Sequence, residues 1–92
     1  MLKKSSINQD EAQVIALNAL TFLVGDPDRL SRFMALTGTA PETIRASASM
    51  PGFLAGVLEY LCGDQGLLLA FAQSEEMNPE RIETAGRCLA GG

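Results

Sequence analysis

The sequence predicts an all-α fold, a single small domain of about six short helices, and three observations support this prediction. With 92 residues the chain can build only one hydrophobic core. Apolar residues recur at helical spacing, and no segment alternates apolar and polar residues as a half-buried strand does. Glycine and proline separate the helical segments. The domain is expected to cover residues 1–92, with residues 1–7 as a flexible tail.

The first helix is predicted to begin after Asn8 or Ser6, because both are followed at capping-box spacing by Glu11 or Gln9. The apolar stripe that follows is formed by Ala12, Ile15, Ala16, Ala19, Phe22 and Leu23. Four more apolar residues widen it, namely Val14, Leu17, Leu20 and Val24. We therefore expect this helix to be largely enclosed. Gly25 suits the left-handed residue that ends a helix.

The second helix is predicted over about residues 27–37, where Asp26 and Pro27 form a typical helix start. Its expected inward residues are Leu30, Phe33, Met34 and Leu36. Gly38 ends it. A third helix is predicted near Thr39, which forms a capping-box pattern with Glu42.

The second half of the chain has the same organisation. Pro51 opens a fourth helix that closes at Gly63, Asp64 caps a fifth, and Asn78 with Pro79 opens a sixth. The apolar residues of the fourth helix are Phe53, Leu54, Val57, Leu58, Leu61 and Cys62. Those of the sixth, with one glycine, are Ile82, Ala85, Gly86 and Leu89.

A shift of 38 positions without a gap aligns the two halves, with nine identities in 25 positions. The matched residues include glycine, aspartate and proline at helix boundaries, where other residue types are poor substitutes. The pattern predicts two repeated three-helix units, at about residues 8–50 and 51–92. Chance likeness between amphipathic helices in a Leu- and Ala-rich chain is the alternative.

The fifth helix differs from its counterpart in the first unit. Arg29, Ser31 and Arg32 correspond to Leu67, Leu69 and Ala70. The fifth helix is consequently apolar almost all round, which is typical of a core helix or of an exposed contact surface. In the second interpretation, these three apolar residues contact a protein partner or a second copy of the chain.

The charge pattern argues against nucleic acid as the main partner. Seven basic and eleven acidic side chains give a net charge of −4, so a general attraction to phosphate is missing. Residues 47–92 contain two basic and six acidic side chains, a surface that would attract a basic partner. Arg29, Arg32 and Arg45 form a candidate basic face in the neutral first half, and a solvated helix surface is the simpler interpretation.

Residues for catalysis or for a cofactor are scarce. The chain contains no histidine, which excludes Ser-His-Asp and Cys-His catalysis. Two lone cysteines cannot form a structural zinc site, and they are expected to be small buried hydrophobic residues rather than a disulfide or a redox pair. Asp26 and Asp64 are expected to be helix caps rather than an acid and base pair. No catalytic, metal-binding, cofactor-binding or small-molecule site is predicted.

The chain is expected to act in the cytoplasm. Lys3 and Lys4 are followed by polar residues, so no signal peptide is expected, and the apolar stretches are shorter than the roughly 18–20 residues that span a bilayer.

The run EAQVIALNALTFLVGDPDRLSRFMALTG, with FLAGVLEYLCGDQGLLLAFA and a last helix opened by NPE, resembles an alphaproteobacterial family catalogued as domain of unknown function 3572. The likeness extends from about Asp10 to Leu89. It implies a bacterial cytosolic helical protein, and it brings no activity, cofactor or site residue with it.

Two functions therefore stay open. The preferred one is a non-enzymatic protein-interaction module, because the sequence combines apolar helix surface with an acidic second half. The alternative is a small regulator that contacts nucleic acid through the basic face.

Overall fold

Six α-helices joined by short connections form the structure, a computed structural model that describes residues 7–91. They are α1 Gln9–Val24, α2 Pro27–Thr37, α3 Pro41–Ser47, α4 Pro51–Cys62, α5 Gln65–Ser74 and α6 Pro79–Gly91. No strand occurs in residues 7–91, and the predicted all-α fold of six helices is confirmed.

Side-chain caps fix the starts of four helices; for α6 the Asn78 side chain accepts a hydrogen bond from the Glu80 N–H at 2.9 Å. The Asn8 side chain accepts a hydrogen bond from the Glu11 N–H at 2.7 Å, and the Glu11 carboxylate accepts one from the Asn8 N–H at 3.3 Å. This is the predicted capping box, whereas Ser6 lies outside the described residues. Asp26 and Asp64 cap α2 and α5 by accepting backbone hydrogen bonds, as predicted. Each such cap stabilises its helix by about 0.5–2 kcal/mol.

The predicted cap of α3 is wrong. Ala40 is the residue before the first helical turn, with φ −95° and ψ 157°, and no side chain caps this helix. The physical reason is Pro41, because a proline forces the residue before it into extended conformation and thereby sets the helix start one residue after Thr39. Thr39 instead accepts a hydrogen bond from the Thr37 hydroxyl at 2.8 Å.

The hydrophobic core lies where α1, α4 and α6 meet. Helix α6 packs on both α1 and α4, which also pack on each other. Most of the core side chains come from these helices: Ala12, Ile15, Ala16, Ala19, Leu20, Leu23, Leu54, Val57, Leu58, Leu61, Ile82, Ala85 and Leu89. The α4 and α6 backbones come close at Gly86, where an added Cβ would lie 3.4 Å from the Leu58 Cβ. The predicted stripes of α4 and α6 therefore face the core.

Helix α1 is less enclosed than the sequence predicts. Val14, Leu17 and Val24 are exposed, and Val14 keeps 55% of its surface accessible. Because α4 and α6 cover one side of α1, the main stripe is buried except for the half-buried Phe22, and of the four widening residues only Leu20 is buried. Leu36 of α2 was also predicted to point inward, but it is 66% exposed. Helix α2 packs through the neighbouring positions Leu30, Phe33 and Met34, which lie on one helical face, and Leu36 lies outside that face.

The chain joins the core from its first described residue. Ile7 was assigned to the flexible tail, but its side chain is 9% exposed and belongs to the core. The other residues of that predicted tail, 1–6, lie outside the described part of the chain.

Gly25 ends α1 in right-handed rather than left-handed conformation, so this part of the prediction is wrong. Its φ is −71° and its N–H donates to the Thr21 carbonyl at 2.9 Å. An added Cβ at Gly25 would lie 3.2 Å from that carbonyl oxygen. This position favours glycine because a Cβ would lie so close to the carbonyl oxygen, and not because φ is positive.

Helix length and composition decide which segments are candidates for crossing a membrane. Among residues 7–91 no single helix is long and apolar enough to cross a bilayer. Only the pair α4 and α5, bent by 109° at its connection, has that length and composition when both helices are taken together.

Candidate partner-binding grooves

A groove runs between α2 and the α4–α5 corner, and we call it the α2–α5 groove. Its volume is about 380 Å³. It is lined by Asp28, Arg29, Arg32, Tyr60, Asp64, Gly66, Leu67 and Ala70. The structure thus brings two of the predicted contact residues, Leu67 and Ala70, together with two residues of the predicted basic face.

The other predicted residues lie elsewhere. Leu69 is 48% exposed and does not line this groove. It is one position before Ala70 in α5 and therefore lies on a different side of the helix from Leu67 and Ala70. Arg45 is exposed on α3 and does not line it either. The fifth helix is therefore neither wholly core nor wholly contact surface, since Leu68, Phe71 and Ala72 are buried.

Arg29 is held in place by its own neighbours. Its guanidinium lies over the Phe22 ring, with 4.1 Å from Cζ to the ring centroid, and Nη1 is 3.7 Å from Asp26 Oδ2. A cation over an aromatic face is stabilised by the ring quadrupole. This arginine is consequently less available to an outside ligand than the sequence suggests.

Arg32 is the accessible cation of the α2–α5 groove. It is exposed and forms no ion pair with any side chain in residues 7–91. A second, open groove continues along α2 and is lined by Asp28, Ser31, Arg32, Ala35 and Leu36. Arg32 and Asp28 belong to both grooves. Charged groups of both signs therefore lie between two apolar areas, one at Leu67 and Ala70 and the other at Ala35 and Leu36.

A third groove lies between α4 and α6, and sequence reasoning missed it. We call it the α4–α6 groove; its volume is about 500 Å³. It is lined by Ala55, Leu58, Glu59 and Cys62 of α4 and by Glu83, Gly86, Arg87 and Ala90 of α6. Each helix contributes positions i, i+3, i+4 and i+7. This spacing marks one helical face, so the signal was present in the sequence but required knowing which two helices are neighbours.

The Cys62 thiol reports on the electrostatics of the α4–α6 groove. Burial raises its pKa above the ordinary value, and the nearby Glu83 carboxylate raises the pKa further. The Arg87 guanidinium acts in the opposite direction. The thiol therefore stays protonated and apolar at neutral pH. Both Cys62 and Cys88 are free thiols, as predicted, but each is half-buried rather than buried. The Cys88 Sγ is 3.4 Å from the Ile7 carbonyl oxygen.

Asp26 and Asp64, considered as a carboxylate pair, each serve as a helix cap. Among residues 7–91 no three histidine, cysteine, aspartate or glutamate side chains lie close enough to hold a metal ion. The described residues form a small six-helix domain whose surface features include the α2–α5 groove, the open groove along α2, the α4–α6 groove and an exposed apolar stripe on α1.

A known protein family matches nearly the whole chain. The chain belongs to the family described as "Protein of unknown function (DUF3572)", whose model matches residues 9–92. The predicted resemblance is confirmed over nearly the whole chain, while the alphaproteobacterial origin stays a prediction. No curated protein and no solved structure matches the chain.

Proposed function

We propose that this protein is a non-enzymatic protein-interaction module that binds a partner segment in the α2–α5 groove. The observation that carries this proposal is the position of Leu67 and Ala70, which are partly exposed apolar residues in a groove that also contains the exposed Arg32. Apolar surface that is accessible beside charged groups is typical of protein contact sites.

The chemistry of the groove suggests how a partner segment would bind. An apolar side chain of the partner would pack on Leu67, Ala70 and the Tyr60 ring. A carboxylate beside it would pair with Arg32, which has no intramolecular partner in residues 7–91. The first contact supplies most of the affinity, because exposed ion pairs contribute only about 0–1 kcal/mol. The second fixes the orientation of the segment.

Affinity capture with matched variants tests this proposal. We expect Ala70→Glu to remove a protein that co-purifies with the wild-type chain from its native cell, because a carboxylate would be placed on the apolar part of the groove. Leu69→Glu is the matched control, since it makes the same change in charge at a neighbouring exposed residue outside the groove. Circular dichroism shows whether both variants fold. Equal capture by wild type and Ala70→Glu would contradict the proposal.

Two related proposals have specific support. Val14, Leu17 and Val24 form an exposed apolar stripe on α1, which favours a homodimer; sedimentation as a strict monomer at high concentration would contradict it.

Arg32 and Arg45 are both exposed, which favours the alternative regulator that contacts nucleic acid. In that case Arg32→Gln with Arg45→Gln would abolish salt-dependent retention on DNA. The net charge of −4 makes this the weaker proposal.

A further inference from the structure

We propose that the α4–α6 groove binds an amphipathic helix of a partner protein, with lysine or arginine side chains beside its apolar stripe. This inference does not depend on the α2–α5 groove, with which the α4–α6 groove shares no residue.

The shape of the groove fits a helix. Its two walls are the faces Ala55 to Cys62 on α4 and Glu83 to Ala90 on α6, each about two helical turns or roughly 10 Å long. Side-chain rows of a third helix can enter the groove between two packed helices. An extended peptide gains most of its affinity from backbone hydrogen bonds to a free sheet edge, and residues 7–91 contain no strand.

Small side chains allow the partner backbone to come close. Ala55, Gly86 and Ala90 line the groove, and they leave room for larger apolar side chains on the incoming helix. Leu58 is buried and Cys62 is half-buried between them. Burial raises the pKa of the Cys62 thiol, so this part of the surface stays uncharged at neutral pH. An apolar stripe on the partner would therefore meet a predominantly apolar surface.

The charges determine which kind of helix fits. Glu59 and Glu83 line the groove against a single cation, Arg87. None of these three forms an ion pair with a side chain in residues 7–91. The second half of the chain, residues 47–92, also contains six acidic and only two basic side chains. The local charge and the surrounding field both favour a basic partner and disfavour an acidic one.

A thiol-protection experiment tests the site directly. The probe is a synthetic helix of about 18 residues with leucine at positions i, i+3, i+4 and i+7 and lysine elsewhere. The protein is the single-thiol variant Cys88→Ala, which leaves Cys62 as the only thiol. We expect saturating probe to slow alkylation of Cys62 about tenfold or more, because the helix would cover the thiol. A counterpart with glutamate in place of lysine should give no protection.

Charge variants distinguish this site from general attraction to an acidic protein. Glu59→Gln with Glu83→Gln should weaken probe binding about fivefold to tenfold at low salt and reduce its salt dependence, because two ion pairs are lost. The control is Glu42→Gln with Glu76→Gln, which changes the net charge equally at exposed positions outside the groove. We expect this control to change binding about twofold or less.

Three results would overturn the inference. One is binding of the probe without protection of Cys62, which would place it elsewhere. Another is an equal loss of binding in both double variants, which would indicate general charge attraction. The third is equal protection by the glutamate counterpart, which would mean that a purely apolar ligand or a second copy of the chain occupies the groove. None of these changes touches the α2–α5 groove, so failure here leaves the proposed function open to its own test.

Discussion

The corner between α1 and α2 and the corner between α4 and α5 have nearly the same backbone, but the last helices of the two halves, α3 and α6, differ. Asp26 has φ −127° and ψ 119°, and Asp64 has φ −124° and ψ 104°. Gly25 and Gly63 both end their helices in right-handed conformation. In contrast, α3 has 7 residues with one buried side chain, whereas α6 has 13 residues with three.

The two corners also pack against each other in a reciprocal way. Phe22 contacts Phe71 with ring centroids 5.3 Å apart, and Tyr60 contacts Phe33 at 5.0 Å. Phe22 and Tyr60 are 38 residues apart, as are Phe33 and Phe71, so exchanging the matched positions of the two halves turns the first pair into the second. This reciprocity is typical of contacts around a two-fold axis. It agrees with the predicted repeat, although duplication of the units stays an interpretation of the sequence.

Local residues set the conformation of each corner, whereas packing sets the positions of α3 and α6. Glycine followed by a capping aspartate gives the same turn twice because its interactions lie within a few residues. Helix α6 covers α1 and α4 through Ile82, Ala85 and Leu89, and α3 has only Ile44 to bury. Once α6 packs on α1 and α4, less of their apolar surface is left for α3 to cover.

The largest expected effects come from the equivalent phenylalanines. Phe33→Ala and Phe71→Ala should each lower the free energy of unfolding by about 3–5 kcal/mol, because both rings are fully buried and each would leave a cavity. Urea unfolding followed by circular dichroism measures the change. An unmoved transition for either variant would mean that the two corners do not share a core position.

Helices α3 and α6, which the predicted repeat pairs, should respond unequally when a matched isoleucine is replaced by alanine. Ile82 of α6 is 0% exposed and its counterpart Ile44 of α3 is 9% exposed. We expect Ile82→Ala to cost about 3–5 kcal/mol and Ile44→Ala about 2 kcal/mol or less, since α3 can relax around the smaller side chain. Thermal unfolding of the two variants side by side is the measurement. Equal losses would show that α3 is as firmly packed as α6.

Smaller effects are expected at the two positions of positive φ, Gly38 with 72° and Glu76 with 54°, which are also 38 residues apart. Gly38→Ala should destabilise the protein by about 1–2 kcal/mol, because an L side chain is strained in this conformation. Glu76→Gly should stabilise it by about 1 kcal/mol or less, since relief of strain is partly offset by the entropy of the unfolded chain. Gly25→Ala is the control: its φ is negative, so its effect comes from the added Cβ, 3.2 Å from the Thr21 carbonyl oxygen, and not from a left-handed backbone. If Glu76→Gly destabilises the protein, strain at this position is not the deciding factor.

The smallest effect concerns Cys62, which the predicted repeat pairs with the exposed Val24. Only the thiolate is alkylated, and the raised pKa means that fewer Cys62 thiols are ionised at any given pH than in a free cysteine. In the Cys88→Ala variant the pH midpoint of alkylation should therefore lie above that of the urea-unfolded chain. Glu83→Gln should lower this midpoint and Arg87→Gln should raise it. A midpoint equal to that of the unfolded chain would mean that α6 does not shield this end of α4.

Part of the candidate sites could be predicted from sequence. The apolar replacement of Arg29 and Arg32 by Leu67 and Ala70 pointed to residues that do line a groove, because an excess of apolar helix surface is visible in one dimension. The approach of Arg32 to these residues was not visible, since α2 and α5 are brought together only by packing. Leu36 was misassigned for the same reason, because the sequence shows which residues are apolar but not which face meets a neighbour.

The sequence by itself determined the number of helices, most of their limits and the caps at Asp26 and Asp64, because these depend on interactions between residues a few positions apart. The tertiary structure alone decided that α6 rather than α3 covers α1 and α4, that one side of α1 stays exposed, and that the α4–α6 groove exists. These features depend on contacts between residues far apart in the chain, where several arrangements of amphipathic helices satisfy the same pattern and only the best packing distinguishes them.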